Sequence, residues 1–305
     1  MKSVHVKTAT GLVFLAVAVV YVVLFCAGQE DPAFVEAEMT WRAERDHAMR
    51  EETSWLTIAG LFWLEEGENT FGTSADSRIQ LPEDSAPESA GAFILKNGGV
   101  TAEAAGNTEL KIGEEIIRKR KLASDQEGRP DIVALNDLRM WVIVRGGRFA
   151  IRMRDLNARA FREYDGLDFF PPRAEYKVVG TLITYDEPKT VSVGTAIGTT
   201  TEMTSPGFVS FEIGGKQYRL DAFGSVASKR LFFVFRDGTS GDETYGASRF
   251  MSADILEDGS VDMNFNRAYN PPCAYTHYAT CPLPPPQNNL EIRIEAGEKM
   301  YPGHH

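Results

Sequence analysis

The chain has 305 residues, 43% of them apolar and 25% charged, with 27 Gly, 15 Pro and a formal net charge of -11. This is the composition of a folded globular protein, and it excludes a disordered chain, a collagen, a coiled coil and a multi-span membrane protein. Three cysteines exclude a disulfide-dense mini-scaffold, and 43 acidic against 32 basic residues give no electrostatic basis for binding nucleic acid.

Lys2 and Lys7 precede an apolar run over 11–28, which ends at Gln29, Glu30 and Asp31. The run is longer than the usual core of a cleaved signal peptide and just long enough to span a bilayer, so it predicts export with the leader either cut or kept as an N-terminal membrane anchor. The basic flank comes first, which places the body outside the cytoplasm, periplasmic or extracytoplasmic, with membrane attachment if the segment is retained. Cys26 invites lipidation, but Phe25 before it is bulky where signal peptidases take a small residue. No low-complexity linker divides the remainder, and 29–305 reads as one β-rich domain.

Apolar residues Phe34, Val35, Met39, Trp41 and Met49 fall among dense charges over 33–52 with no Gly or Pro, which predicts an amphipathic helix lying on a sheet. Beyond it, short β-branched and aromatic runs alternate with Gly, Asp and Pro. Strands are predicted at 92–95, 115–122, 140–144, 148–154, 176–183, 190–194, 207–213, 216–223, 230–235, 260–265 and 290–295. Gly146-Gly147 and Gly214-Gly215 sit where a hairpin turn needs positive φ. The expected fold is mainly β: an antiparallel β-sandwich or partly closed barrel of about eleven strands with one N-terminal amphipathic helix.

No nucleophile elbow, phosphate loop, dinucleotide fingerprint, H-E-x-x-H or C-x-x-C occurs, and of the 5 His, His5 lies in the leader and His304 and His305 end the chain, which leaves His47 and His277 for a histidine-based triad. No cofactor or bound metal is expected. Two segments stand out instead, 235–250 and 262–282. With Trp41-Arg42, Arg45-Asp46, Trp55-Leu56, 145–155 and Gly297-Glu298-Lys299, they resemble the bacterial and archaeal domain-of-unknown-function family 1684. The resemblance spans nearly all of the exported body and is most specific over 270–286. It implies no activity, substrate or catalytic residue. The family commonly has Pro where this chain has His277.

Cys273 and Cys281 enclose a short loop in a chain read as exported, so a disulfide is expected, stabilising by roughly 2.5 kcal/mol. Its rival is a metal site made by Cys273, His277 and Cys281, for which no fourth ligand is evident. The turn through Gly238 and Gly241 is read as the wall of a polar pocket. In it Asp237 or Glu243 moves a proton and Arg249 or Asn266 holds negative charge, with Thr239, Tyr245, Arg267, Tyr269 and Asn270 as further contacts. The scaffold alternative has Asp237 capping its turn, Arg249 paired with Glu243, and Asn266 and Asn270 satisfying backbone groups. Arg148, Arg152 and Arg154 share one strand face and offer guanidinium groups to a carboxylate or phosphate, or form a solvated face. Trp41, Trp55, Trp63 and Trp141 read as core, or one of them as a carbohydrate or aromatic-ligand surface.

Three functions fit. The first is binding of a small anionic or polyhydroxylated molecule in a pocket walled by 237–249 and lidded by 273–281. The second is a metal-independent, carboxylate-based hydrolase. The third is a cell-envelope interaction module presenting Tyr269, Tyr275 and Tyr278.

Overall fold

The structure, a computed structural model, describes residues 30–303; the leader, the anchor and Cys26 lie outside the described residues. No described helix is long and apolar enough to cross a membrane.

Helix α1 (Pro32–Met49) opens where the Asp31 carboxylate accepts the Ala33 N–H at 3.1 Å and Pro32 supplies a preset first turn. Eleven strands follow: β1 (Ile58–Trp63), β2 (Gly67–Gly72), β3 (Ile79–Gln80), β4 (Gly91–Lys96), β5 (Gly99–Ala104), β6 (Leu110–Ile112), β7 (Glu115–Ile117), β8 (Lys119–Leu122), β9 (Val133–Leu135), β10 (Leu138–Arg145) and β11 (Arg148–Asp155). They form two sheets, ordered β1-β11-β10-β9-β6-β7 and β3-β2-β4-β5-β8. Phe71, Phe93 and Val100 of one meet Met140, Ile151 and Met153 of the other in a single apolar core, so this half is a sandwich.

After the short helix α2 (Arg159–Arg162) come β12 (Lys177–Gly194), β13 (Thr200–Ile213), β14 (Lys216–Ser225), β15 (Arg230–Phe235), β16 (Arg249–Asp254) and β17 (Ser260–Asn264). These pair antiparallel in the order β16-β15-β14-β13-β12-β17, and a bridge between Ile255 and Val261 brings the two ends of the sheet together. The sheet therefore nearly closes into a barrel. Val209, Phe211 and Ile213 alternate inward along β13 by the strand period of two, meeting Phe233, Phe235, Met263 and Phe265. The β13–β14 turn is closed by Gly214 and Gly215 at φ 59° and 75°, the primed geometry that matches strand twist.

The mainly β, antiparallel expectation holds, with one parallel pair, β2 with β3. The strand count does not: 17 strands occur among the described residues rather than about eleven. Strands of two or three residues, such as β3, β6 and β9, are too short to show a period in sequence. The 115–122 run divides into β7 and β8, which belong to different sheets. The 176–183 and 190–194 runs are one strand, β12, whose pairing shifts register between Thr184 and Lys189. The 290–295 run is buried at Leu290 and Ile294 but is not a strand, because Gly238 N–H and the Arg249 guanidinium take its carbonyls.

Candidate functional site

The face that α1 lays on the barrel is charged. Its buried residues are Glu38, Arg42 and Met49, one face of a helix, with half-buried Arg45 on the same side, while Met39 is 52% exposed. The expected apolar stripe is therefore replaced by a hydrogen-bonded one. Glu38 accepts from Asn264 Nδ2 at 2.9 Å and from Arg267 Nε at 3.1 Å. Arg42 Nη2 donates to the Phe170 carbonyl at 2.8 Å. Arg45 Nε donates to Glu298 at 2.7 Å, and the other Glu298 oxygen accepts the Asn270 N–H at 2.8 Å and the Tyr275 hydroxyl at 2.9 Å. Burial opposes the Arg45 charge, but Glu298 and Tyr275 outweigh it and raise its pKa above the ordinary arginine value. Burial, reinforced by Glu298, pushes the Tyr275 hydroxyl well up, so it serves as a donor. Gly297 makes this layer possible: at φ 81° a Cβ would stand 2.4 Å from the Ala268 carbonyl oxygen.

On this layer stands a cavity of about 410 Å³ between α1 and strands β16 and β17, lined by Trp41, Glu44, Arg45, Arg230, Ser252, Asp254, Asp262, Arg267 and Tyr269, among others. Arg45 lies over the Tyr269 ring at 5.0 Å, and Trp41 is held edge-on by Phe169 with ring centres 6.3 Å apart. A second cavity, about 460 Å³, shares Trp41, Glu44 and Arg267, so these three divide one groove. The cations are matched: Arg267 with Glu38, Arg45 with Glu298, Arg230 with Asp254 at 3.8 Å, and Lys177 with Asp262 at 3.6 Å, while Glu44 has no ion pair among the described residues. A larger cavity, about 780 Å³, lies beside β6 and β9 of the sandwich; its lining is loop residues and charged side chains with no aromatic face.

The expected residues distribute unevenly around this groove. Arg267 and Tyr269 line it, and Asn270 supports it from behind through its contacts to Glu298 and the Lys299 carbonyl. Asp237 and Arg249 are buried and face each other at 2.5 Å, with Thr239 N–H and hydroxyl taking the other Asp237 oxygen at 2.6 and 2.5 Å. Glu243 pairs with Arg293, not with Arg249. Asn266 clamps the Arg173 backbone, accepting from its N–H and donating to its carbonyl, each at 2.9 Å. Of the four residues read as catalytic only Asp237 and Arg249 meet, and Glu243 and Asn266 are held in separate contacts. Tyr245 donates to the Cys273 carbonyl at 3.0 Å. Arg148 lies over Trp63 at 4.4 Å, and Arg152 is buried over Trp55 at 5.5 Å. Cys273 and Cys281 are buried neighbours, with the Cys273 N–H donating to Cys281 Sγ at 3.0 Å. His277 is exposed, and among the described residues no group of three His, Cys, Asp or Glu gathers as a metal site. Tyr275 is buried and Tyr269 half-buried, which leaves Tyr278 alone at the surface.

The profile of a family described as protein of unknown function (DUF1684) matches residues 162–299. The chain belongs to this family. The DUF1684 match takes in the barrel, Tyr269 and Glu298. An uncharacterised protein of Haloarcula marismortui, solved by solution NMR, is 35% identical over 47% of this chain and 80% of its own, with a TM-score of 0.40. An FHA domain, described in a study of phosphothreonine-dependent interactions, is 16% identical over 30% of this chain and 79% of its own, with a TM-score of 0.22. No curated protein matches the chain.

Residue reading missed Glu38, Arg42, Arg45, Arg230, Ser252 and Asp262. A signal for the first three was present: Glu38, Arg42, Arg45 and Met49 recur at four, three and four residues, the spacing of one helix face.

Proposed function

We propose that this DUF1684 protein binds a small polyhydroxylated molecule in the groove between α1 and the barrel, with Trp41 and Tyr269 as ring surfaces. The observation that carries this is the matching of charge. Arg45, Arg230 and Arg267 each have an acidic partner, so the groove offers an anion no uncompensated cation. It offers instead hydrogen-bond donors and acceptors, Arg230, Asp254, Asp262 and Ser252, beside the rings of Trp41 and Tyr269. That combination suits hydroxyl groups, which donate and accept at once, on a ring whose C–H face packs on an aromatic plane. An anionic ligand is the weaker of the two alternatives read from sequence, and the hydrolase reading loses its parts to the Asp237–Arg249 and Glu243–Arg293 pairs.

Saturation-transfer NMR with glucose, galactose, maltose and inositol, against succinate and inorganic phosphate, tests the proposal. Transfer to the ring protons of a neutral polyol, lost in Trp41→Ala, is expected. Absence of transfer to any neutral polyol would contradict it, as would binding of succinate or phosphate that strengthens as salt is lowered.

A further inference from the structure

Where the barrel meets the sandwich, Cys273 and Cys281 are each 4% exposed, in an apolar box that includes Phe223, Val234 and Phe250. The Cys273 N–H donates to Cys281 Sγ at 3.0 Å, and the Tyr245 hydroxyl donates to the Cys273 carbonyl at 3.0 Å. Facing them from β11 is Arg152, 5% exposed, and it lacks a carboxylate partner among the described residues. Its Nε has no hydrogen-bond partner, and its one hydrogen bond is to the Tyr278 carbonyl at 3.5 Å, on the loop the cysteines enclose. The neighbouring Arg145 is paired with Asp125 at 2.6 Å. Burying an unanswered guanidinium is costly, and the groups whose charge offsets that cost are Asp125, already held by Arg145, and the Cys281 sulfur.

We propose that Cys273 and Cys281 form a reversible dithiol–disulfide couple in which Arg152 is the counter-charge of the thiolate. The charge of Arg152 bears on the Cys281 sulfur, and the pair is polarised between its two thiols. Cys273 is drawn below the ordinary thiol value by donation from Cys281 and Tyr245 against the effect of burial, while the neighbouring thiol is pushed up. Burial, with Arg145 adding to it, lowers Arg152 to about 10, and Asp125 and the Cys281 sulfur oppose that fall. In the oxidation, one thiolate attacks a sulfur of an external disulfide, forming a mixed disulfide and releasing the first thiolate of the oxidant. The second cysteine then loses its proton and attacks the sulfur of the first. The mixed bond breaks, and the oxidant, now a dithiol or two thiols, has taken two electrons and two protons.

Equilibration of the full-length protein in a series of reduced and oxidised glutathione mixtures, followed by acid quench, alkylation and mass spectrometry, reads the couple. One two-electron transition from dithiol to intramolecular disulfide is expected. Arg152→Met removes the charge that favours the reduced form and should move the equilibrium about tenfold toward disulfide, close to 30 mV lower in potential. Arg152→Lys keeps the charge and should restore most of the shift. A pair that stays entirely dithiol or entirely disulfide across the series would overturn the proposal. So would an Arg152→Met protein that titrates with the wild type.

Discussion

Arg249 is 1% exposed, and Asp237 at 2.5 Å and the Ile294 carbonyl at 3.0 Å answer its charge. Such a pair adds little over an apolar substitute but is expensive to break, since removing one member strands the other. Arg249→Met should therefore cost about 3–5 kcal/mol in urea unfolding, and Asp237→Asn in the same chain should recover part of that loss. Glu243→Ala, which removes a partner of half-exposed Arg293, should change stability by no more than about 0.5 kcal/mol. Gly297→Ala forces a side chain into positive φ against the Ala268 carbonyl and should destabilise by about 3 kcal/mol in the same assay. At this scale sequence could mark Asp237, Glu243 and Arg249 as a polar cluster. It could not say whether they face a ligand or one another, because that depends on which carbonyls the loop over 290–296 brings to Arg249.

Helix α1 is fixed to the barrel by hydrogen-bonded charge, which makes its docking sensitive to single substitutions. Glu38→Ala leaves Asn264 and Arg267 without their acceptor and should cost about 2–4 kcal/mol; hydrogen exchange should quicken across 32–49 before it does in the barrel strands. Half-buried Asp46 near the end of the helix adds a pH response. Burial raises the Asp46 pKa, but the Tyr164 hydroxyl at 2.7 Å and Arg50 outweigh it and hold the group below the usual carboxylate range. A carboxylate lowered in the folded state contributes stability that is present above its unfolded value, about 3.9, and lost as pH falls through the folded one. Thermal melts taken on either side of that window should show a smaller acid loss for Asp46→Asn than for the wild type. Among strands, β4, β10, β11, β14 and β15 were legible to within a few residues, because each is long enough to show its buried face and is bounded by a turn. The helix was legible in position but not in polarity: charges normally mark the solvent side, and here they mark the docked one.

Among the described residues the two largest apolar cores, one in the sandwich and one in the barrel, share no residue. Between them lies a cluster of Met49, Leu56, Tyr164, Ala274, Tyr275 and Tyr301, drawn from both ends of the chain. A junction of this kind should couple the two cores into one unfolding unit; scanning calorimetry should give one transition for the wild type and two for Tyr275→Ala, which opens the junction and removes one of the three donors to Glu298. The antiparallel, barrel-forming character of the chain was visible in its punctuation, down to the Gly-Gly turns. The groove was not, because it is assembled from the helix, β16, β17 and the 267–269 turn, segments up to about two hundred residues apart whose meeting no local pattern encodes. Only Arg267 and Tyr269 of the expected contacts lie in it, with Trp41 of the tryptophans read as a ligand surface. The most direct test is a map of amide and indole shifts in isotope-labelled protein as a neutral sugar is added. Movement concentrated at Trp41, Ser252 and Tyr269 is the predicted result, and movement centred on Thr239 and Tyr245, or none at all, would contradict the placement of the site.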